Sequence, residues 1–334
     1  MTDNITLAHG SGGQLSHELV ENNIVKELFN PILAKLDDSA TFELKGKLAF
    51  TTDSYVVNPV FFPGGDIGKL SVCGTVNDLS MCGAHPLYLS LAFIIEEGLP
   101  AEQLEKIVKS IRETAEEAGI IIVTGDTKVV NHGCADKIFI NTAGIGIITE
   151  DVDISGSNAM SGDKVIISGT IGDHGIAVLS QREGLRFSSE LKSDCAPLNK
   201  LVEEMISVSN RIHCLRDPTR GGLATALNEL AKQSNVSISI DESSIPVKEE
   251  VATACEMLGL DPLYIANEGK LVAIVPPDDA DKILETMKKN EYGKDSAIIG
   301  EVTSGKPGRV VMKTILGTTR IIDILVGDPL PRIC

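Results

Sequence analysis

At 334 residues, with 43% hydrophobic and 23% charged side chains, the chain is long enough for two domains with a core each. Its 30 Lys and Arg against 47 Asp and Glu give a net charge of −17, and with no Trp such a surface argues against nucleic acid or anionic membranes as partners. No apolar run is long enough to cross a bilayer, MTDNITLAHG has no signal-like apolar stretch, and the seven Cys include no C-x-x-C pair, so a cytoplasmic protein without a structural zinc site is expected.

Apolar residues at near-helical spacing predict a helix over 14–29. Next, SATFEL and KLAFTTDSYVV flank Lys45-Gly46 and predict a hairpin. A helix is expected from Asp66 to Gly83, then a strand in PLYLSLAFII. The helix over 101–118 has Pro100 at its start and Gly119 just past its end. With strands at IIIVTGD and KIFINTAGIGII, the order ββαβαββ predicts a mixed α/β layer rather than a Rossmann repeat.

The polar stretch EDVDISGSNAMSGDK marks the expected boundary between domains 1–155 and 156–320. Beyond it, strands are expected at KVIIS, VSISI, KLVAIVP and AIIGEV, and helices at 194–209, 219–234, 247–258 and 278–290. In the segment 321–334, Pro329 and Pro331 fix φ and lack a donor, which predicts an extended, flexible tail ending at Cys334.

Acids recur where predicted strands end or helices begin: Asp37 and Asp38, Asp53, Asp78, and Asp126. Asp favours turns and caps in any protein, so each alone is ordinary. Together, beside small residues, they point to one pocket in which a hard divalent ion relieves their repulsion and bridges to phosphate. The expected ligand is therefore ATP with Mg2+, and Asp37, Asp53, Asp78 and Asp126 are the metal candidates. HGSGG places glycines ahead of a helix, where backbone N–H groups can face an anion. It is no Walker A loop, and a glycine-rich lead-in is at least as common.

Lys128 follows the GDT turn, where an ammonium can reach a γ-phosphate, and Glu268 lies in ANEGK at the mouth of a predicted strand. Each also reads as an ordinary surface charge. DPTRGG, 217–222, carries two readings, an anion-facing turn or a well-capped helix start. Most Cys read as small buried hydrophobes, with Cys334 set apart as the last residue.

HGSGG, DD-S-A, TTDSYVV, NDLSMCGA, GDTKVV, DPTRGG, NEG and PRIC occur in one order across nearly the whole chain. The set resembles the carbamoyl dehydratase family of nickel–iron hydrogenase maturation. That family is a branch of the superfamily of aminoimidazole ribonucleotide synthetase, selenophosphate synthetase and thiamine-monophosphate kinase, and PRIC is its specific part. The resemblance implies a two-domain aminoimidazole ribonucleotide synthetase-like α/β (α+β, mixed-sheet) architecture. It also implies a homodimer joined through the N-terminal sheets, with ATP and Mg2+ in a nearby cleft.

By the same resemblance, a HypF-like carbamoyltransferase loads the Cys334 thiol and ATP drives dehydration of the S-carboxamide to a thiocyanate. The cyano group then passes to a HypC–HypD-like iron scaffold. Cys334, Lys128 and Glu268 are the implied catalytic residues, and His9, Gly10, Gly12, Gly13, Thr52, Asn77, Gly125 and Thr127 the implied nucleotide contacts. Two rivals stand beside this reading. One is a small-molecule kinase or synthetase of the same superfamily, whose ATP turnover survives removal of Cys334. The other is a non-catalytic docking protein that presents PRIC to a partner's groove and needs no ATP.

Overall fold

Residues 138–148 alternate buried and half-exposed side chains at every step, as a strand with one covered face must. In the computed structural model, which describes residues 4–37, 39–184, 191–324 and 332–333, this strand lies inside the first of two main sheets. The N-terminal half runs α1 (Gln14–Leu19), β1 (Lys47–Tyr55), β2 (Phe61–Phe62), β3 (Gly65–Asp66) and α2 (Ile67–Met81). It continues with β4 (Ala84–Glu96), α3 (Ala101–Ala118), β5 (Ile121–Val130) and β6 (Ile138–Ile148). The sheet order is β1-β6-β4-β5, antiparallel except for the β4–β5 pair.

Leu104, Ile107, Val108 and Ile111 recur at helical spacing along α3 and are fully buried. Asp66 caps α2 by accepting from the N–H groups of Gly68 and Lys69 at 2.7 and 3.1 Å. Gly119, at φ +74, closes α3 in the left-handed conformation that glycine adopts without strain.

The second half begins with β7 (Lys164–Ile167), α4 (Asp173–Glu183), α5 (Asn199–Val208), β8 (Cys214–Arg216), α6 (Gly222–Gln233) and β9 (Ser237–Asp241). It continues with α7 (Glu249–Leu258), β10 (Val272–Val275), α8 (Pro277–Lys289), β11 (Ala297–Thr303), β12 (Arg309–Lys313) and β13 (Thr319–Ile322). These strands order as β13-β12-β9-β11-β7-β10-β8, parallel only between β12 and β9. Val165 and Ile167 pack in a cluster with α6, whereas Ile166 packs in one with α5 and α8. The sheet is therefore covered on both faces, which explains its continuous apolar runs.

Three expectations are corrected. The hairpin at Lys45-Gly46 does not form: residues 39–45 carry no strand, and β1 pairs along its whole length with β6, from Lys47 opposite Ile148. A long, well-patterned distant partner overrides the shorter local one. The helix expected over 14–29 is α-helical only to Leu19 and takes π geometry over Val20–Val25. The boundary expected at 321 falls inside β13, to which Ile321 and Ile322 belong.

The two halves are joined through Asn77 on α2. Its amide donates to the carbonyls of Ala196 and Glu268 at 3.1 and 3.3 Å, and its Oδ1 accepts from Leu198 N at 2.8 Å. The side chain is buried, so removal strands backbone groups that water cannot reach. Asn77→Leu is expected to lower the unfolding free energy by about 1–3 kcal/mol, measured by chemical denaturation. An unchanged midpoint would contradict this joining role.

Candidate active site

Sequence-marked residues gather around two cavities and one buried seam. The first cavity, about 540 Å³, has the size of a small-molecule site and is lined by Gly10, Gly12, Asp37, Gly125, Asp126, Thr127 and Lys128, among others. Its glycines are there for close approach. A Cβ on Gly10 would stand 2.6 Å from Val129 N, and one on Gly125 would stand 2.2 Å from Leu91 O. Lys128 Nζ donates to Asp126 Oδ1 at 2.8 Å, and this ammonium holds the Asp126 carboxyl below its usual range.

Four members of the expected nucleotide set, His9, Gly13, Thr52 and Asn77, stand apart from this cavity. His9 Nδ1 accepts from Thr6 N at 3.0 Å and the residue is buried, so its ring closes the N-terminal turn. Gly13 sits at the N-cap of α1 and lines neither cavity. Asp38 lies outside the described residues.

The second cavity, about 720 Å³ and more polar, opens between the halves and is lined by Thr52, Asp53, Asp78, Arg216, Asp217 and Arg220, among others. Thr52 Oγ1 donates to Thr142 O at 3.0 Å. Asp78 accepts from Thr51 Oγ1 at 2.9 Å, yet burial, with Asp53 adding to it, pushes its carboxyl up. Asp217 is pushed up to about 7 by burial and by the neighbouring Asp78.

The single acidic pocket expected from sequence is thus two. Asp37 and Asp126 line the first cavity, Asp53 and Asp78 the second. The cause is sheet order: β1, carrying Asp53, and β5, carrying Asp126, are the opposite edges of one sheet. Asp217 joins the second group, and its only sequence signal was DPTRGG. Among the described residues no three His, Cys, Asp or Glu side chains converge closely enough to hold an ion alone. The surplus of carboxylates with raised proton affinity around Asp53 still suits a hard cation that takes its remaining ligands from phosphate or water.

Glu268 lies in the seam, 4% exposed, with Oε1 lacking any partner. Burial raises its carboxyl well above the usual range, and Cys195, Asp217 and Asp194 raise it further. Its backbone N–H and that of Gly269 donate to Asp194 at 3.3 and 3.1 Å. Glu268 lines neither cavity, so it and Lys128 face different spaces. Asn77, expected to contact nucleotide, has both side-chain polar atoms committed to the seam's backbone.

The last described residues dock beside this seam. Arg332 O accepts from Asn58 N at 3.1 Å and from Arg182 Nη2 at 2.7 Å, and Arg332 pairs with Asp136 in the β5–β6 loop. Ile333 is buried in a cluster with Val178, Cys195 and Ala266. Cys334 lies outside the described residues.

Comparison with known proteins bears on all three regions. Residues 36–148 match the N-terminal domain, and residues 160–313 the C-terminal domain, of the family described as AIR synthase related protein. The carbamoyl dehydratase HypE of Azotobacter vinelandii is 49% identical over 331 residues, covering 99% of this chain and 97% of that protein. A crystal structure of the hydrogenase maturation protein HypE in complex with ATP superposes with TM-score 0.96 at 51% identity, covering 98% of this chain and 99% of that one. The HypE in a HypE–HypF complex superposes with TM-score 0.82 at 54% identity, covering 92% and 99%.

The Asp217 environment gives stability a defined pH dependence. Its carboxyl keeps a proton in the folded state up to about pH 7 but loses it in the unfolded chain near the ordinary 3.8. Between those values the folded state binds more protons, so stability falls as pH rises. Asp217→Asn is expected to raise the metal-free melting temperature above neutrality and to change it little below the usual carboxylate range. A gain that did not depend on pH would remove Asp217 from this role.

Proposed function

We propose, on the premise that the chain belongs to the HypE family of AIR synthase related proteins, that it dehydrates an S-carboxamide on Cys334 to a thiocyanate at the expense of ATP. The product supplies the cyanide ligands of the active-site iron in nickel–iron hydrogenase. The HypE–ATP structure supports ATP as the co-substrate, and the HypE–HypF structure supports a HypF-like carbamoyltransferase as the loading partner. A HypC–HypD-like scaffold is the proposed acceptor of the cyano group.

The chemistry has one obstacle, since an amide oxygen is a very poor leaving group. Transfer of the γ-phosphoryl group to that oxygen makes phosphate the leaving group. Expulsion of phosphate with loss of the N–H protons leaves the S–C≡N product, ADP and inorganic phosphate. Phosphoryl transfer asks the protein chiefly for positioning and charge neutralisation. Lys128 is assigned to the transferring phosphate, with Gly10, Gly12, Gly125 and Thr127 lining the same cavity; because Glu268 faces another space within one chain, the assignment requires the two to be brought together in the assembled protein. Mg2+, which would neutralise phosphate charge, would be held by Asp53 and Asp78, with Asp217 close by. Asp37 remains a proposed metal contact from the first cavity, whereas Asp126 is already compensated by Lys128.

The observation that carries this reading is the unpartnered, buried carboxyl of Glu268 in the seam where Arg332 and Ile333 dock. A desolvated carboxylate with raised proton affinity is suited to take a proton from the activated amide nitrogen. The direct test is intact mass of the carbamoylated protein before and after ATP, with loss of one water located in the C-terminal peptide. No ATP-dependent loss would refute the reading. Glu268→Gln is expected to slow that loss about 100-fold or more while ATP affinity holds. Normal turnover would clear Glu268 of the base role.

A homodimer through the first sheet is part of the proposal. Its outward face aligns Leu48 opposite Ile147, Phe50 opposite Ile145 and Ile94 opposite Phe139. Leu48, Phe50 and Ile94 are exposed, at 51%, 72% and 43%. A solvated sheet face is usually polar, so this one calls for a cover. Phe50→Asp is expected to halve the mass found by equilibrium sedimentation. A wild-type chain that sediments as a monomer would contradict the dimer.

A further inference from the structure

We infer that His174 is a positioning residue for the dehydration, holding the backbone carbonyl of Ile333 in register through a hydrogen-bond chain that starts at Ser193. The inference rests on Cys334 being the loaded thiol, because Ile333 is the residue joined to it.

His174 sits in the first turn of α4 and is fully buried. Its Nε2 lies 2.9 Å from Ile333 O, and a carbonyl can only accept, so Nε2 carries the hydrogen. Burial disfavours the charged ring, leaving Nδ1 as a lone pair. Ser193 Oγ, 2.8 Å from Nδ1, must therefore donate to it. The same Oγ accepts from Cys195 N at 3.0 Å, which orients the hydroxyl. Phe62 meets the ring edge-on, with centroids 5.3 Å apart at 90°, and fixes its plane. The tautomer, the direction of donation and the ring orientation all follow from three contacts.

A second set of donors acts one residue earlier. Arg182, two turns along α4, donates to both Asn58 O and Arg332 O, at 2.8 and 2.7 Å, while Asn58 N also donates to Arg332 O. Arg332 takes φ +56, a left-handed conformation unfavourable for a non-glycine residue. Two successive carbonyls held by fixed donors sustain that turn. Recognition is therefore of backbone, with the Ile333 side chain as the apolar anchor.

His174 lines neither cavity, which makes nucleotide binding a control. His174→Phe fills the space without a donor. His174→Gln keeps an N–H near the Nε2 position. Ser193→Ala releases the tautomer and leaves the ring in place. Each full-length variant is carbamoylated on Cys334 and followed in a single turnover at saturating ATP. In uncarbamoylated protein, alkylation by N-ethylmaleimide is read by mass on the C-terminal peptide.

Expected for His174→Phe is dehydration slowed about tenfold or more and alkylation quickened about tenfold, with ATP affinity unchanged and the melting temperature lowered by the two buried partners it strands. Ser193→Ala should move both readouts in the same directions by less, and His174→Gln should stay near wild type. Dehydration unchanged in His174→Phe and Ser193→Ala, or His174→Gln as impaired as His174→Phe, overturns the inference. If His174→Phe does not fold, Ser193→Ala decides. Failure of the dehydratase reading is separable: wild type would then lose no water with ATP, whatever the alkylation pattern.

Discussion

The cost of burying Glu268 sets the terms for the structure around it. Its Oε1 has no partner and desolvation opposes its charge, so the group holds a proton more tightly there than in water. Both halves contribute to holding it. Asn77 grips the Glu268 carbonyl from α2, and Asp194 accepts from the N–H groups of Glu268 and Gly269. An unpartnered buried oxygen is a local cost that calls for an explanation beyond stability.

From that seam the remaining parts take their positions. Ile333 shares one apolar cluster with Cys195 and Ala266, so the end of the described chain is drawn to the same region as the carboxyl. Charge is handled separately. The first cavity pairs Lys128 with Asp126, whereas the second keeps Asp53, Asp78 and Asp217 beside one another. Anionic phosphate is suited to the first by its ammonium and to the second by Arg220, and there beside the carboxylates only through a bound cation. Among the described residues no helix is long and apolar enough to cross a membrane.

How much was legible in the sequence depends on how local each signal is. The α3 helix and the β6 strand could be read to within a few residues because each buries one face, and burial of one face imposes a period. The α4 helix escaped notice because residues 173–180 are buried on every side, which erases the amphipathic period. The Asp motifs marked residues that line cavities, but which of them share a cavity within one chain depends on the sheet order, which no local pattern encodes. The same holds for Asn77 and His9, whose residue types fit a ligand but whose partners turned out to be backbone. His174 and Ser193 gave no signal, since their pairing depends on a chain end 159 residues from His174.

In the proposed reaction ATP takes the oxygen of a carbamoyl group while Glu268 takes its proton. Carrying heavy oxygen in that carbamoyl group before a single turnover tests it most directly. The label is expected to leave in inorganic phosphate, one atom for each thiocyanate formed. Thiocyanate formed with unlabelled phosphate and labelled water would contradict it.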